Sequence, residues 1–303
     1  MTTLAERLAR GDIVILDGGT GTELQRRGVP MDAVAWSAAA VLRHGDTLRD
    51  IHADYIRAGA AIITTNTFAT ARHLLEPAGL GGAVREVNAR AVTLARAARD
   101  QAAGGREVWI AGSISTMAAG ADARRRPDVA TAGVHFHEQA EILAEAGVDL
   151  ILLEMMRDVD YTRAAIAAAA ATGLPVWVGF SCARTATGEV VMSPGFGEDV
   201  PFRAVGTAMA PGGSLVAVMH SEIPDIEPAL AVARTAWSGP LGAYAHRGRF
   251  AMPDWQFDDI APSDYLSEAQ KWVAAGAQVI GGCCGIGPAH IRLLAEHLPG
   301  RQP

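Results

Sequence analysis

The chain predicts a (β/α)8 barrel, and three observations carry that prediction. Eight short β-rich apolar runs alternate with stretches whose apolar residues recur near every 3.6 positions. Nearly every apolar run ends in a group capable of chemistry, which is how barrel strands end at the C-terminal face. The 303 residues, half of them hydrophobic, contain no low-complexity linker, so a single barrel domain over 1–303 accounts for the whole length. A doubly wound open sheet is the runner-up; eight repeats within one domain favour closure.

Taken in order, Ile13-Val14-Ile15-Leu16 ends in Asp17-Gly18-Gly19, and Ala61-Ile62-Ile63 ends in Thr64-Thr65-Asn66-Thr67. Val108-Trp109-Ile110-Ala111 runs into Gly112-Ser113, and Leu150-Ile151-Leu152-Leu153 into Glu154. The fifth run, 176–180, ends in Ser181-Cys182, and the sixth, 215–219, in His220-Ser221. Leu241-Gly242-Ala243 leads to Tyr244-Ala245-His246, and Ala277-Gln278-Val279-Ile280 to Gly281-Gly282-Cys283-Cys284-Gly285. Helical spacing covers 47–58, 83–103, 131–146, 159–171, 226–237, 263–275 and 288–298. Gly59, Gly104, Gly147, Gly173 and Gly276 follow five of these segments, where a helix end favours a left-handed residue. Pro288 suits a first helical position.

Composition narrows the function classes. The balance of 26 basic against 33 acidic residues gives −7, which argues against nucleic acid as a partner. No apolar run is long enough to span a bilayer, so no membrane role is expected. The start, Met1 to Glu6, lacks a signal-peptide pattern. Three cysteines with two adjacent make no disulfide framework, which points to a reducing cytoplasm.

The adjacent pair Cys283-Cys284 is the strongest chemical signal. Their Cα atoms lie ~3.8 Å apart across a trans peptide, below the usual disulfide range of ~4.4–6.8 Å. Two thiolates on one soft metal, or a reactive thiol pair, are the useful alternatives. His220 at the same mouth makes three ligands with a fourth position free, which suits catalytic Zn2+; copper(I) would accept the same set. Cys182 is a rival third ligand, and His246 reads as a fourth ligand or a polar contact to substrate. Asp17 and Glu154 place two carboxylates in a net-acidic barrel, which suggests an ammonium-bearing substrate and makes them the expected catalytic pair.

Other substrate contacts expected at the mouth are Thr65, Asn66, Ser113, Tyr244 and His246, with Trp36 reading either as a cap on a cationic donor or as a rim aromatic. Gly18, Gly19 and Thr20 open a Gly-rich loop whose amides could cradle an anion, although the loop lacks a P-loop lysine. Arg124-Arg125-Arg126 reads as a solvated loop. His135 and His137, two apart on a helix, do not share a face.

These residues resemble the homocysteine S-methyltransferase family, which comprises zinc-dependent (β/α)8 barrels. The matching stretches are Leu16-Asp17-Gly18-Gly19-Thr20-Gly21-Thr22-Glu23-Leu24, His52-Ala53-Asp54-Tyr55-Ile56-Arg57-Ala58-Gly59-Ala60, Thr65-Asn66-Thr67-Phe68, Ala111-Gly112-Ser113-Ile114, Glu154, and Gly281-Gly282-Cys283-Cys284-Gly285 followed by Pro288 and His290-Ile291. The resemblance implies that Cys283 and Cys284 ligate zinc and that Asp17 and Glu154 hold the amino group of an amino-acid thiol. It implies that the Gly18–Thr20 backbone and Thr65 lie near that substrate's carboxylate or thiol. The implied reaction moves a methyl group from a small sulfonium or quaternary ammonium donor (S-methylmethionine, S-adenosylmethionine or betaine type) to a zinc-bound thiolate such as homocysteine's. No second module for cobalamin or methylfolate is expected, so the donor should be small and self-standing.

Three mouth positions depart from the family pattern. The first zinc cysteine, in a Val-Asn-Cys pattern, is replaced by Val218-Met219-His220; Tyr-Pro-Asn-Ser-Gly reads Tyr244-Ala245-His246-Arg247-Gly248; Gly-Pro-Tyr reads Ser115-Thr116-Met117. A His/Cys/Cys set is one unit less negative than three thiolates. That exchange supports a zinc hydrolase or lyase as an alternative, and a non-enzymatic thiol or redox sensor is a third reading.

Overall fold

The computed structural model describes residues 3–193, 199–210 and 212–298. Eight parallel strands form the barrel: β1 (Val14–Ile15), β2 (Ile62–Thr64), β3 (Trp109–Ser115), β4 (Leu150–Met156), β5 (Val176–Phe180), β6 (Leu215–Glu222), β7 (Leu241–His246) and β8 (Ala277–Ile280). Each pairs with its sequence neighbour, and β8 pairs with β1. A parallel bridge between Leu16 and Ile62 joins β1 to β2 and closes the ring.

The seven expected helices are present as Gly45–Arg57, Val84–Ala102, Val129–Ala146, Val159–Ala170, Ile223–Ala236, Pro262–Ala274 and Pro288–His297. The glycines predicted to end five of them all have positive φ, from 58° at Gly104 to 107° at Gly59. Between β5 and β6 the chain forms a hairpin (Cys182–Arg184 with Val190–Met192) and the short helix Val205–Ala208. An N-terminal helix, Leu4–Ala9, carries no long apolar period; a Thr3/Glu6 capping box starts it. Its Leu8 packs into the barrel's inner core, and Gln278 Nε2 donates to the Leu8 carbonyl at 2.6 Å.

Strand alternation sorts the side chains into two cores. Inside the ring lie Val14, Leu16, Leu150, Leu152, Trp177, Leu215, Ala217, Met219 and Val279; Ile15, Ile151, Leu153, Val216 and Val218 face the helices. Burying each large apolar side chain contributes roughly 1.5–3 kcal/mol. The same period of two carries the inward row Leu150, Leu152 on to Glu154, which aims that carboxylate into the mouth. Gly179 leaves room at this level: a Cβ there would lie 2.5 Å from Tyr244 OH and 2.7 Å from Met219 Cγ.

Candidate active site and metal centre

The mouth of the barrel holds a cavity of about 510 Å3, a volume suited to a small-molecule ligand. Its walls include Asp17, Gly18, Gly19, Thr20, Trp36, Thr65, Asn66, Glu154, Cys182, His220, Tyr244, His246, Cys283 and Cys284. Strand geometry therefore gathers the sequence-predicted residues in one place, with one exception. Ser113 is fully buried behind the wall, and its hydroxyl donates to Glu154 Oε2.

A bulge in β6 builds the metal side. Met219 is paired with Tyr244 and Glu222 with His246, so β6 carries one more residue than β7 across this stretch. His220 sits in the extra turn with φ of 44°, a conformation β-strand side chains rarely adopt. The kink directs its ring at the Cys283-Cys284 loop: His220 Nδ1 lies 3.4 Å from Cys283 Sγ, and the two sulfurs are 4.0 Å apart. All three ligand atoms lie within 4.8 Å of one another. A tetrahedral zinc with Zn–S of about 2.3 Å and Zn–N of about 2.0–2.1 Å would set these edges near ~3.6 and ~3.8 Å. The donor types and spacings fit the metal.

The cysteine loop is held from both sides. Cys283 N–H donates to the Ala245 carbonyl and Arg247 N–H to the Cys284 carbonyl, each at 2.9 Å, extending β7 along the loop. On the other side, Gly282 N–H donates to the Asp17 carbonyl, Gly19 N–H to the Ile286 carbonyl and Gly285 N–H to Thr22 Oγ1. A Cβ on Gly19 would meet the Cys283 carbonyl at 2.7 Å. The glycines of both loops thus permit loop-on-loop packing, and the Gly19 amide expected for an anion cradle is engaged inside the protein. Thr20 Oγ1, by contrast, is buried with no protein partner and lines the cavity.

The carboxylate side is braced differently. Thr64 donates through its backbone N–H (2.7 Å) and its hydroxyl (2.9 Å) to the two oxygens of Asp17. Burial pushes Asp17 well above the usual carboxylate range, against the Thr64 bonds, and Glu154 adds to the rise. Burial raises Glu154 to about 7, opposed by Ser113 and Tyr244. The Tyr244 hydroxyl lies near this carboxylate yet falls outside full hydrogen-bond geometry. Among the described residues no cation forms an ion pair with Asp17 or Glu154. Two buried acids without a cationic partner are costly to ionise.

Asn66 lines the cavity as expected, and its amide also exchanges hydrogen bonds with Ser37, which accepts at its carbonyl (3.0 Å) and donates from its hydroxyl (2.9 Å), bracing the loop after Trp36. Thr65 Oγ1 is likewise bonded to Thr67 Oγ1 and to the Ser113 amide. Cys182 stands apart from the metal cluster: its Sγ faces the Asp225 carbonyl, and burial pushes the thiol up to about 12. A protonated, buried thiol is unreactive. His246 lies beside the triad, with ring centroids 4.6 Å from His220, and its Nε2 is 3.2 Å from Glu222 Oε1. Arg126 is no solvated residue; it stacks on Tyr161 and pairs with Asp158. His137 pairs with Glu141, while His135 stacks on His73.

An aromatic wall was missed in the sequence. Trp36 is flanked edge-on by Phe68 and Phe250, each 6.1 Å away, and Trp255 packs on both His220 and His246. Phe250 and Trp255 come from a hairpin, Arg249–Ala251 with Asp254–Gln256, whose Met252-Pro253 turn between short aromatic-bearing segments was the available signal. Met117, Met155 and Met219 complete the apolar lining.

Residues 14–298 match the profile of the homocysteine S-methyltransferase family. The chain belongs to this family. Members are S-methyltransferases, and this chain is an enzyme of that class. It is 26% identical to betaine–homocysteine S-methyltransferase 1 of Bos taurus, over 97% of this chain and 74% of that protein. It is 27% identical to the S-methylmethionine–homocysteine S-methyltransferase BHMT2 of Pongo abelii, over 97% and 81%. The metallated form of the homocysteine methyltransferase MmuM from Escherichia coli superposes with a TM-score of 0.77 at 25% identity, covering 95% of this chain and 97% of that one.

Proposed function

We propose that this family member transfers a methyl group from a small sulfonium or quaternary ammonium donor to the thiol of homocysteine or a similar amino acid, with zinc as cofactor. The observation that carries the reading is the layout of one cavity: a His220/Cys283/Cys284 cluster at one pole and two unpaired buried acids at the other. His220, Cys283 and Cys284 would hold zinc, whose bound form supplies the charge that keeps an acceptor sulfur deprotonated at neutral pH.

The protein's own residues then fix the reactants. Asp17, oriented by Thr64, and Glu154, oriented by Ser113, receive the acceptor's ammonium group and thereby set where its sulfur reaches. Burial lowers the pKa of His220 and keeps its ring neutral, the form that ligates a metal. Trp36, Phe68 and Phe250 line the cavity, where an exposed ring face would attract an onium donor. The apolar lining of Met117, Met155 and Met219 limits water around the sulfur and the methyl carbon. Attack on that carbon displaces the donor's neutral sulfide or amine, so the transfer step itself requires no general base. The test is a matrix of betaine, S-methylmethionine and S-adenosylmethionine against homocysteine, cysteine and selenocysteine, with the zinc-loaded protein. One donor–acceptor pair should yield methylated product. Full zinc occupancy with no methyl transfer to any acceptor would overturn the reading and favour the hydrolase alternative.

A further inference from the structure

A network of buried polar side chains stands behind the acid pole of the cavity, and the proposed reaction makes no direct use of it. Strand β2 stops at Thr64 while β3 continues to Ser115, so the β3 edge facing β2 runs on past its partner. The Ala111 carbonyl on that edge accepts the Thr65 N–H at 2.9 Å; the amide and carbonyl of Ser113, two residues on, lie on the same edge. Side-chain hydroxyls take the place of the missing strand. Ser113 N–H donates to Thr65 Oγ1 (3.2 Å), Thr67 Oγ1 donates to the Ser113 carbonyl (2.7 Å), and the two hydroxyls lie 2.7 Å apart. Ser113 is thereby held at both backbone groups, and its own hydroxyl reaches Glu154.

The loop that carries these hydroxyls is pinned from outside the barrel by Gln139. This residue lies on the helix Val129–Ala146, is fully buried and does not line the cavity. Its Nε2 lies within hydrogen-bond reach of the Thr67 carbonyl (2.8 Å), Thr70 Oγ1 (3.0 Å) and Asn88 Oδ1 (3.2 Å). Asn88, on the helix Val84–Ala102, closes the set by donating through Nδ2 to the Thr70 and Val84 carbonyls at 3.1 and 2.9 Å. Gln139 Oε1 meets no partner among the described residues, so what the amide contributes is its N–H pair. We propose that Gln139 is a positioning residue for the acceptor's ammonium group, acting through the 65–70 loop and Ser113 on Glu154. The inference rests on the reading of Glu154 as an ammonium site. Without the Gln139 N–H groups the Thr67 carbonyl loses its anchor, and the Thr67 hydroxyl no longer fixes Ser113 beneath the carboxylate. A helix residue that never meets substrate thus sets where the Glu154 oxygens stand.

The experiment uses the full zinc-loaded chain and compares wild type with Gln139→Met, Gln139→Leu, Thr67→Val and Thr67→Ser, each alone and combined with Ser113→Ala. The two Gln139 variants replace the amide with different apolar shapes, should one not fold. The readouts are homocysteine binding by titration calorimetry, zinc content, and backbone hydrogen exchange in the segment 109–116. Homocysteine should bind about three- to tenfold more weakly to Gln139→Met and Thr67→Val, the size of one lost hydrogen bond. Zinc content should stay constant, exchange in the segment should quicken, and Thr67→Ser, which keeps the hydroxyl, should match wild type. On the Ser113→Ala background Gln139→Met should weaken binding by less than about twofold more, because its route to Glu154 is already cut. An equal loss on both backgrounds, or a loss of zinc alongside it, would make Gln139 a general brace of the fold and overturn the proposal. Unchanged homocysteine binding or unchanged exchange in the Gln139 variants would overturn it too, with the substrate reading intact. A wild-type protein that holds zinc yet binds no amino-acid thiol would instead overturn the substrate reading and this inference together.

Discussion

On the β1–β4 side of the mouth Asp17, Thr65, Asn66 and Glu154 are tied to other protein groups; on the β6–β8 side the ligand-type side chains mostly face one another. Asp17 is held by Thr64, Thr65 by Thr67 and the Ser113 amide, Asn66 by Ser37 and Glu154 by Ser113. Opposite them, His220, Cys283 and Cys284 have one another as their close polar side-chain contacts, and His246 keeps a bare nitrogen. Under the proposed function the first side would position the acceptor and the second would hold the metal, so substitutions on each side should fail in different ways.

The largest effect belongs to the metal side. Cys283→Ser or Cys284→Ser should reduce zinc, measured by elemental analysis, from about one to below about a tenth per chain, because metal binding rests on so few ligands. His220→Ala should weaken zinc by more than the roughly 10–100-fold expected for losing an outer hydrogen-bond partner. Cys182→Ala should leave zinc content unchanged; a loss equal to that of His220→Ala would reinstate Cys182 as a ligand.

Across the mouth, Glu154→Gln should retain zinc and raise the acceptor KM about 10–100-fold, the loss of one charge-assisted hydrogen bond of roughly 1.5–3 kcal/mol. Its pH signature has a definite sign. Burial raises Glu154 from 4.5 to about 7, so between these values the folded protein holds a proton that the unfolded chain has released. Stability of the ligand-free protein therefore falls as pH rises through that window. Affinity for an ammonium-bearing acceptor rises as pH passes about 7 and the carboxylate ionises. Thermal melts and acceptor KM from pH 5 to 8 should show both trends in the wild type, and Glu154→Gln should weaken them, leaving the contribution of Asp17, which burial also raises.

Smaller changes sharpen the division. Trp36→Ala should raise the donor KM roughly 2–30-fold, the range of a cation–π contact of about 0.5–2 kcal/mol, with the acceptor KM nearly unmoved. Ser113→Ala removes one hydrogen bond to Glu154, worth roughly 0.5–1.5 kcal/mol, and should raise the acceptor KM by several-fold while donor KM and zinc content stay constant. A shift in donor KM instead would place Glu154 against the wrong substrate.

The barrel was legible because its strands are apolar on both faces and its helices are amphipathic, patterns that the order of the residues writes into the chain. The mouth was legible through strand endings, since a carboxyl or imidazole after an apolar strand has few other places to go. Local geometry was not. No sequence period announces the extra residue in β6 that turns His220 toward the cysteines and brings Glu222 against His246. Asn66 and Ser113 carried the right residue types, but their partners Ser37 and Glu154 are distant in the chain, so bracing could not be told from substrate contact. The Phe250 and Trp255 wall lies on a hairpin too short to give a strand pattern. Cys182 follows its strand as His220 does, and only its burial and its Asp225 contact separate them.

X-ray absorption at the zinc edge, recorded with and without homocysteine, decides whether the His220/Cys283/Cys284 cluster binds zinc and receives the acceptor thiol there. Two sulfur ligands with nitrogen are expected in the free protein, and a third sulfur at about 2.3 Å once the thiol is added. An unchanged sulfur count with the thiol bound would rule that assignment out.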